Sequence, residues 1–324
     1  MKREEAINKI NHLSSGSEPF IFIIDYEMNN CIVEKTSDAE EAGILFDFNG
    51  FKNAKLRTQQ IHNLKFKPNF TNYKQYLKAF EIVQDNILKG NSYLVNLTFE
   101  TPIKTNLTLE QIFYSSKAKY KLLLKNRFVV FSPESFVKIN KNEIFTYPMK
   151  GTIDASLPRA EQQLLSNKKE FAEHVTIVDL LRNDLSMNAH NVKVDKFRYI
   201  DTVYSRQKEL LQVSSQIKGA LDSGYEDKLG NIIFDMLPAG SVTGAPKTKT
   251  CEIIQEAENY SRGYYTGIAA YFDGEKLDSC VLIRFIEQKA NGQMVYKSGG
   301  GITSLSNPKD EYNELNHKIY VPID

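Results

Sequence analysis

The stretch TGIAAYFDGEKLDSCVLIRFIEQKANGQMVYK, residues 266–297, decides the fold class. It contains three apolar runs separated by Asp273-Gly274 and Asn291-Gly292, which are dipeptides typical of tight hairpin turns. The predicted strands are 266–272, 277–287 and 294–297. Because a tight turn can join only antiparallel neighbours, this stretch predicts an antiparallel sheet.

Working outward from this stretch, a second block of strands is predicted upstream, and helices follow each block. The further predicted strands are 20–25, 43–48, 92–98, 128–131, 135–139 and 144–147, the last three as a meander. The predicted helices are 73–89, 159–166, 168–186, 248–259 and one opening at Asn307-Pro308. Strands grouped in this way favour an α+β fold, and the absence of a linker favours one domain over 1–324.

Composition narrows the classes of function. The chain has 41 basic and 40 acidic residues, a formal charge of +1, which argues against a nucleic-acid surface or a polybasic membrane patch. Three widely spaced cysteines without a CxxC pair argue against a disulfide framework or zinc site. With no signal-peptide pattern or membrane-length apolar run, we expect a cytoplasmic protein whose partners are small molecules or proteins.

Two pairs of glutamates stand out because each pair lies three residues apart on a predicted helix. Glu170 and Glu173 lie on the 168–186 helix, and Glu311 and Glu314 lie on the last helix. Four converging carboxylates would repel one another without a cation, and Mg²⁺ suits hard oxygen ligands. The alternatives are a solvated helix face, a helix-dipole role for Glu311, and pairing of Glu314 with Lys318.

Two glycine-rich segments are candidate anion sites. Residues 238–247, PAGSVTGAPK, lead into a predicted helix whose backbone N–H groups could face an anion, although a plain turn explains them equally well. The spacing of their glycines differs from that of a Walker A loop. The run from Gly299 to Gly301 has no side chains, so a ligand could approach its backbone closely.

Two further residues are candidate catalytic groups. Lys150 lies at a strand end before Gly151, where it is either a solvated charge or, if its surroundings remove its proton, a nucleophile. Glu134 lies in the predicted turn between strands 128–131 and 135–139. It is either a general acid or base, or a carboxylate that caps local N–H groups.

Several long motifs occur in one order: SPESF, PMKGT, KEFAEHVTIVDLLRNDL, LPAGSVTGAPK, RGYYTGIAAYF, LIRF, SGGGI and DEYNEL. From about 75 to 320 the sequence resembles the chorismate-utilising enzymes, and within them component I of the aminodeoxychorismate synthases. The resemblance implies an α+β fold of two facing, mainly antiparallel β-sheets with helices packed outside. It also implies that residues 1–70 are a shortened N-terminal portion and that 75–320 are the catalytic region.

The resemblance implies a role for each candidate. Mg²⁺ would be held by Glu170, Glu173, Glu311 and Glu314. The substrate would be bound by Thr243, Tyr265, Lys247, Arg284, Gly299, Gly300 and Gly301. Lys150 would attack C2 of chorismate while the C4 hydroxyl leaves, and Glu134 would transfer protons.

The expected reaction is chorismate plus ammonia to 4-amino-4-deoxychorismate, a precursor of 4-aminobenzoate and folate. No cysteine lies in a glycine-flanked elbow, so the ammonia is expected from a separate glutaminase subunit.

Three positions depart from the family pattern, namely Leu94, Ile153 and Gln212. Leu94 and Gln212 disfavour isochorismate and anthranilate chemistry, respectively. The runner-up is anthranilate synthase component I, which usually carries alanine at the position of Lys150.

Overall fold

The computed structural model describes residues 1–55, 63–205 and 208–323. Residues 56–62, within the expected shortened N-terminal portion, therefore lie outside the described part. Across the described ranges the chain forms eight α-helices and eighteen strands. The helices are α1 Arg3–Ser15, α2 Tyr73–Leu88, α3 Leu109–Ser115, α4 Ala160–Ser166, α5 Lys168–Ser186, α6 Leu229–Asp235, α7 Lys247–Ala257 and α8 Pro308–His317.

The described strands form two nine-stranded sheets, and every strand pair is antiparallel. Sheet A contains β1 Phe20–Ile24, β2 Cys31–Lys35, β9 Ser135–Asn140, β10 Glu143–Thr146, β11 Met149–Asp154, β12 His190–Ser205, β13 Lys208–Ala220, β15 Ile268–Phe272 and β16 Leu277–Val281. Sheet B contains β3 Ile44–Phe48, β4 Phe51–Lys52, β5 Phe66–Pro68, β6 Leu94–Thr105, β7 Tyr120–Leu124, β8 Phe128–Ser132, β14 Gly244–Ala245, β17 Phe285–Gln288 and β18 Met294–Ile302.

The two sheets face each other, and helices cover their outer sides. Strand β1, FIFII, shows why: all five residues are buried, and alternate residues belong to different clusters. Ile21 and Ile23 pack between the sheets, while Phe20, Phe22 and Ile24 pack with residues of α1, α5 and α6. The predicted α+β fold of two facing antiparallel sheets with outer helices is confirmed.

Two predicted strand arrangements are wrong, and both errors matter for the site. The predicted strand 277–287 is two strands, because β16 belongs to sheet A and β17 to sheet B. The predicted meander 128–147 is likewise divided, because β8 lies in sheet B whereas β9 and β10 lie in sheet A. Both segments are apolar on either side of the break, since the strands are buried in both sheets.

At these two breaks the chain crosses from one sheet to the other. We call them the first crossover, Pro133-Glu134, and the second crossover, 282–284. They are hydrogen-bonded to each other: Val281 N–H donates to the Glu134 carbonyl, and Phe131 N–H donates to the Arg284 carbonyl, each at 3.2 Å. Arg284 has a φ of 55°, a left-handed conformation that is costly for a residue with a side chain.

The two acidic helices begin as the sequence predicts. The Asn167 side chain accepts a hydrogen bond from Glu170 N–H and caps α5. The Asn307 side chain caps α8 by accepting from the N–H groups of Lys309 and Asp310, and Pro308 occupies the first helical position. These caps fix the first turns of both helices, which contain the candidate metal ligands Glu170 and Glu311, and Glu173 and Glu314 follow in the second turns.

A close backbone approach at Gly267 gives a test of the sheet packing. A Cβ atom there would lie 2.1 Å from the Ile24 carbonyl oxygen, which is backbone and cannot rotate away. We expect Gly267→Ala to lower the free energy of unfolding by at least about 2 kcal/mol, measured by urea denaturation. Gly16→Ala is the matched control, since its Cβ would lie 3.5 Å from the nearest atom, and it should change stability by less than about 0.5 kcal/mol.

Candidate active site

A cavity of about 220 Å³ lies where the crossovers meet the strands β11 and β18. Its lining includes both predicted catalytic groups, Lys150 and Glu134. Of the predicted substrate-binding residues, it includes Tyr265, Arg284, Gly299, Gly300 and Gly301. Residues separated by up to 167 positions in the sequence therefore share one small enclosure, as the motif order indicated.

Lys150 is presented by an irregularity in sheet A. Met149 pairs with Ser214 and Thr152 with Gln212, so that Lys150 and Gly151 together lie opposite one residue of β13. Gly151 has a φ of 83°, which a bulge of this kind readily uses. The bulge directs the Lys150 ammonium to 3.6 Å from Glu173 Oε2, and a Cβ at Gly301 would lie 3.2 Å from Lys150 Nζ.

The glycines of the 299–301 run have different neighbours, which approach most closely at Gly299 and Gly301. A Cβ at Gly299 would lie 2.5 Å from Thr98 Cγ2 on the paired strand. At Gly300 it would meet Lys318 Nζ at 3.8 Å and Glu311 Oε2 at 3.9 Å. All three glycines lie inside β18, which pairs with β6 throughout the run.

The two acidic helices meet at this glycine run. From α5, Glu173 contacts Lys150, and Glu170 Oε2 would lie 3.2 Å from a Cβ at Gly151. From α8, the Glu311 carboxylate faces Gly300, and Glu314 lines the cavity. Ser306 Oγ donates to Glu311 Oε1 at 2.7 Å, which orients that buried carboxylate.

The four glutamates supply carboxylate oxygens, which are the type of ligand that Mg²⁺ prefers. Among the described residues, no three His, Cys, Asp or Glu side chains converge as a metal-binding group. Mg²⁺ commonly uses only one or two protein carboxylates, together with water and substrate oxygens. Glu170 and Glu173 approach the Lys150-Gly151 segment and Glu311 approaches Gly300, and carboxylates placed in this way are compatible with that mode of binding.

Lys318 is a cavity residue that sequence analysis considered only as a partner for Glu314. The Lys318 ammonium forms the expected ion pair with Glu314 at 2.7 Å and also donates to the Gly299 carbonyl at 2.9 Å. Burial lowers the pKa of Lys318 from its ordinary value. The i, i+4 spacing from Glu314 was the available signal, but it did not indicate that the lysine faces a cavity.

Glu134 has the properties of a proton carrier. Burial raises the pKa of its carboxyl, and this effect exceeds the opposing effects of the Ser241 hydrogen bond and of the Lys150, Arg284 and Lys318 charges. Ser241 Oγ donates to Glu134 Oε1. Glu134 lies in the first crossover, between β8 of sheet B and β9 of sheet A, and not in the hairpin turn that the sequence predicted.

Arg284 provides a cationic fork at the second crossover. Its guanidinium carbon lies 5.6 Å from the centre of the Tyr320 ring. Its Nε is buried and has no hydrogen-bond partner within the described part of the chain. An unsatisfied buried donor of this kind suits an anionic ligand such as a carboxylate.

Two predicted substrate-binding residues do not line the cavity. Lys247 Nζ contacts Asp184 Oδ1 at 2.8 Å and donates to the Met236 carbonyl at 2.6 Å. Thr243 is fully buried behind Val242, and its carbonyl accepts from Asn96 N–H. The 238–247 loop contributes instead through Ser241 and Val242, which line the cavity.

Sequence reasoning missed His174, which follows Glu173 on α5. The imidazole is fully buried, and its Nε2 lies 2.7 Å from Ser215 Oγ. Burial, together with the positive charges of Arg198 and Lys150, lowers the pKa of His174 to about 4. Its place inside the EFAEHV motif was the only sequence signal.

A comparison with protein-family models shows the family to which this chain belongs. Residues 25–324 match the family model described as chorismate binding enzyme. The chain belongs to the chorismate-binding enzymes. This membership agrees with the resemblance of the sequence motifs and with the cavity into which those motifs fold.

Individual relatives of this chorismate-binding enzyme carry different names. A Haemophilus influenzae protein named Uncharacterized PabA-like protein is 49% identical over 318 residues, which is 98% of this chain and 96% of that protein. Aminodeoxychorismate synthase component 1 of Bacillus subtilis is 32% identical over 76% of this chain and 54% of its own length. The crystal structure of anthranilate synthase component I from Streptococcus pneumoniae TIGR4 has a TM-score of 0.66 and 26% identity, covering 83% of this chain and 60% of that one.

The low pKa of His174 makes stability depend on pH. Unfolding restores an imidazole pKa near 6.5, so the unfolded chain binds one more proton than the folded chain between pH 6.5 and 4. The free energy of unfolding should therefore fall as pH drops through this range, with up to about 3 kcal/mol due to His174.

Urea denaturation at several pH values measures this dependence. His174→Gln should flatten the decline between pH 6.5 and 4, whereas the exposed-site control His12→Gln should retain it. An equally steep decline in His174→Gln would show that another group is responsible.

Proposed function

We propose that this chorismate-binding enzyme is component I of an aminodeoxychorismate synthase, which aminates chorismate at C4. The observation that carries the proposal is the position of the Lys150 amine. It lies in the cavity, 3.6 Å from Glu173 and against the Cα of Gly301, with the Arg284 fork and Glu134 in the same lining. An amine held in this way can act as a nucleophile toward a bound ring.

The proposed reaction proceeds in two substitutions. After losing its proton, the Lys150 amine nitrogen forms a bond to C2, the ring double bond shifts, and the C4–O bond breaks. The hydroxyl leaves as water after receiving a proton from Glu134, whose carboxyl pKa is raised by burial, and Glu134 then takes back the proton that the newly bonded amine nitrogen releases. Ammonia then forms a bond to C4 and the C2–N bond to Lys150 breaks, which regenerates the lysine and yields 4-amino-4-deoxychorismate.

Substrate binding follows from the charges of the cavity. Chorismate carries two carboxylates, and the lining supplies Arg284 and Lys318 as cations. The backbone from Gly299 to Gly301 admits the ligand closely because no side chains cover it. We propose that Glu170, Glu173, Glu311 and Glu314 hold Mg²⁺, which when bound would neutralise and orient a substrate carboxylate.

The ammonia would come from a separate glutaminase subunit. None of the three cysteines of this sequence lies in a glycine-flanked elbow, and burial raises the pKa of Cys31 to about 11 and also raises that of Cys280. The product would supply 4-aminobenzoate and folate synthesis, a cytoplasmic process. Consistent with this, none of the described helices is both long and apolar enough to cross a membrane.

Replacement of the lysine tests the amination reaction. Purified protein with chorismate, Mg²⁺ and ammonium should form aminodeoxychorismate, detected as 4-aminobenzoate after addition of a lyase. Lys150→Ala should lower this rate about a hundredfold or more, because a positioned nucleophile is lost. The control Lys276→Ala removes an exposed lysine of the β15–β16 turn and should leave the rate unchanged.

The same assay separates the proposal from the runner-up. Anthranilate synthase activity would give fluorescent anthranilate and pyruvate without a lyase. Formation of anthranilate, or full activity of Lys150→Ala, would refute the proposed amination mechanism.

Removal of the metal tests the carboxylate site. Chelation with EDTA should abolish turnover, and added Mg²⁺ should restore it. Glu173→Gln should raise the Mg²⁺ concentration for half-maximal activity at least about tenfold. Glu252→Gln, an exposed glutamate on α7, is the matched control, and an EDTA-insensitive rate would contradict a Mg²⁺ requirement.

A further inference from the structure

Besides the ion pair of Lys150 with Glu173, Ser215 of β13 links the Lys150 segment to α5. The backbone N–H of Ser215 donates to the carbonyl of Pro148 at 3.0 Å, two residues before the lysine. Its hydroxyl lies 2.7 Å from His174 Nε2, on the helix turn that also carries Glu173. One residue of β13 therefore contacts both the lysine segment and the acidic helix.

A second irregularity in sheet A converges on the same hydroxyl. On β12, Lys196 pairs with Gln216 and Tyr199 with Ser214, so that two β12 residues, Phe197 and Arg198, lie opposite Ser215. Arg198 N–H donates to Ser215 Oγ at 2.9 Å. The Phe197 ring covers the imidazole edge, with the ring centres 5.9 Å apart at 65°.

These contacts leave Ser215 and His174 few alternative hydrogen-bond partners. Ser215 and His174 are fully buried, so neither can exchange its partner for bulk water. Loss of the imidazole would leave the Ser215 hydroxyl without this partner. The Lys150 bulge, which pairs with β13 only on its two sides, would then lose its link to the Glu173 turn through Ser215 and keep the 3.6 Å ion pair.

We propose that His174 is a positioning residue for Lys150. Through its hydrogen bond to Ser215 it fixes the distance between the lysine-bearing bulge and the Glu173 turn of α5. This inference rests on the proposed function in that the positioned amine is taken as the nucleophile. His174 itself does not line the cavity, so it acts through Ser215 and does not touch the substrate.

The test compares three variants at these two positions. His174→Leu fills the space but removes the hydrogen bond, Ser215→Ala removes the hydroxyl, and His174→Gln places an amide group where Nε2 lies. We expect His174→Leu and Ser215→Ala each to lower kcat about tenfold or more with little change in the KM for chorismate. His174→Gln should restore most of kcat, and the double variant His174→Leu/Ser215→Ala should be no slower than either single variant.

Hydrogen–deuterium exchange gives a readout that does not depend on turnover. In His174→Leu and Ser215→Ala, the peptide spanning residues 147–153 should exchange at least about fivefold faster, whereas the β9–β10 peptide should be unchanged. Thermal unfolding identifies a variant that fails to fold, and in that case His174→Gln and Ser215→Ala decide the matter.

The outcomes distinguish the inference from the proposed function. Unchanged exchange at 147–153, faster exchange with unaltered kcat, or a loss of activity that is not restored in His174→Gln would overturn the positioning role. If the wild-type protein aminates no chorismate, the proposed function is wrong. The exchange data then decide alone whether His174 holds the bulge.

Discussion

The two hydrogen bonds that join the sheet crossovers are the constraint on which the cavity depends. They connect the segments on either side of Glu134 with those on either side of Arg284, so that both sheets contribute to one wall of the cavity. Glu134, a carboxyl of raised pKa, and the Arg284 guanidinium thereby both line the cavity. Neither could be held there by one sheet alone.

The electrostatics of the cavity follow from this arrangement. Cationic side chains from both sheets and from the end of α8 enter a space that is too small to hydrate them fully. Some of them are already neutralised: Lys297 contacts Glu287 at 2.8 Å and donates to the Arg262 carbonyl. The cations without such fixed partners, Arg284 above all, are the ones available to an anionic ligand.

Much of the fold could be predicted from the sequence, because apolar runs, turn dipeptides and helix caps are local signals. The caps of α5 and α8 and the hairpin turn at Asp273-Gly274 are examples. The sheet crossovers could not be predicted, since a buried strand has the same apolar pattern in either sheet. The ribbon β12–β13 was missed because much of it is exposed, so its residues show little hydrophobic patterning.

The candidate site could also be predicted only in part, because motifs identify residues but not the direction in which each side chain points. Motifs identified Lys150, Glu134, Arg284 and the glycines, which do share one cavity. Lys247 lies outside the cavity lining because its loop approaches the cavity with Ser241 and not with the lysine, and that orientation depends on tertiary packing. His174 gave no separate signal, since a histidine within an apolar helix face is more often a simple core residue.

The pairing of β1 with β15 has an evolutionary consequence. Each sheet is assembled from strands that lie far apart along the chain, so no contiguous half of the polypeptide contains a complete sheet. Recombination between two related genes at a mid-chain breakpoint would pair strands from one protein with strands from the other, although the two did not evolve together. Diversification in this architecture is therefore expected to advance by point substitutions at cavity positions such as 150 and 212, rather than by exchange of segments.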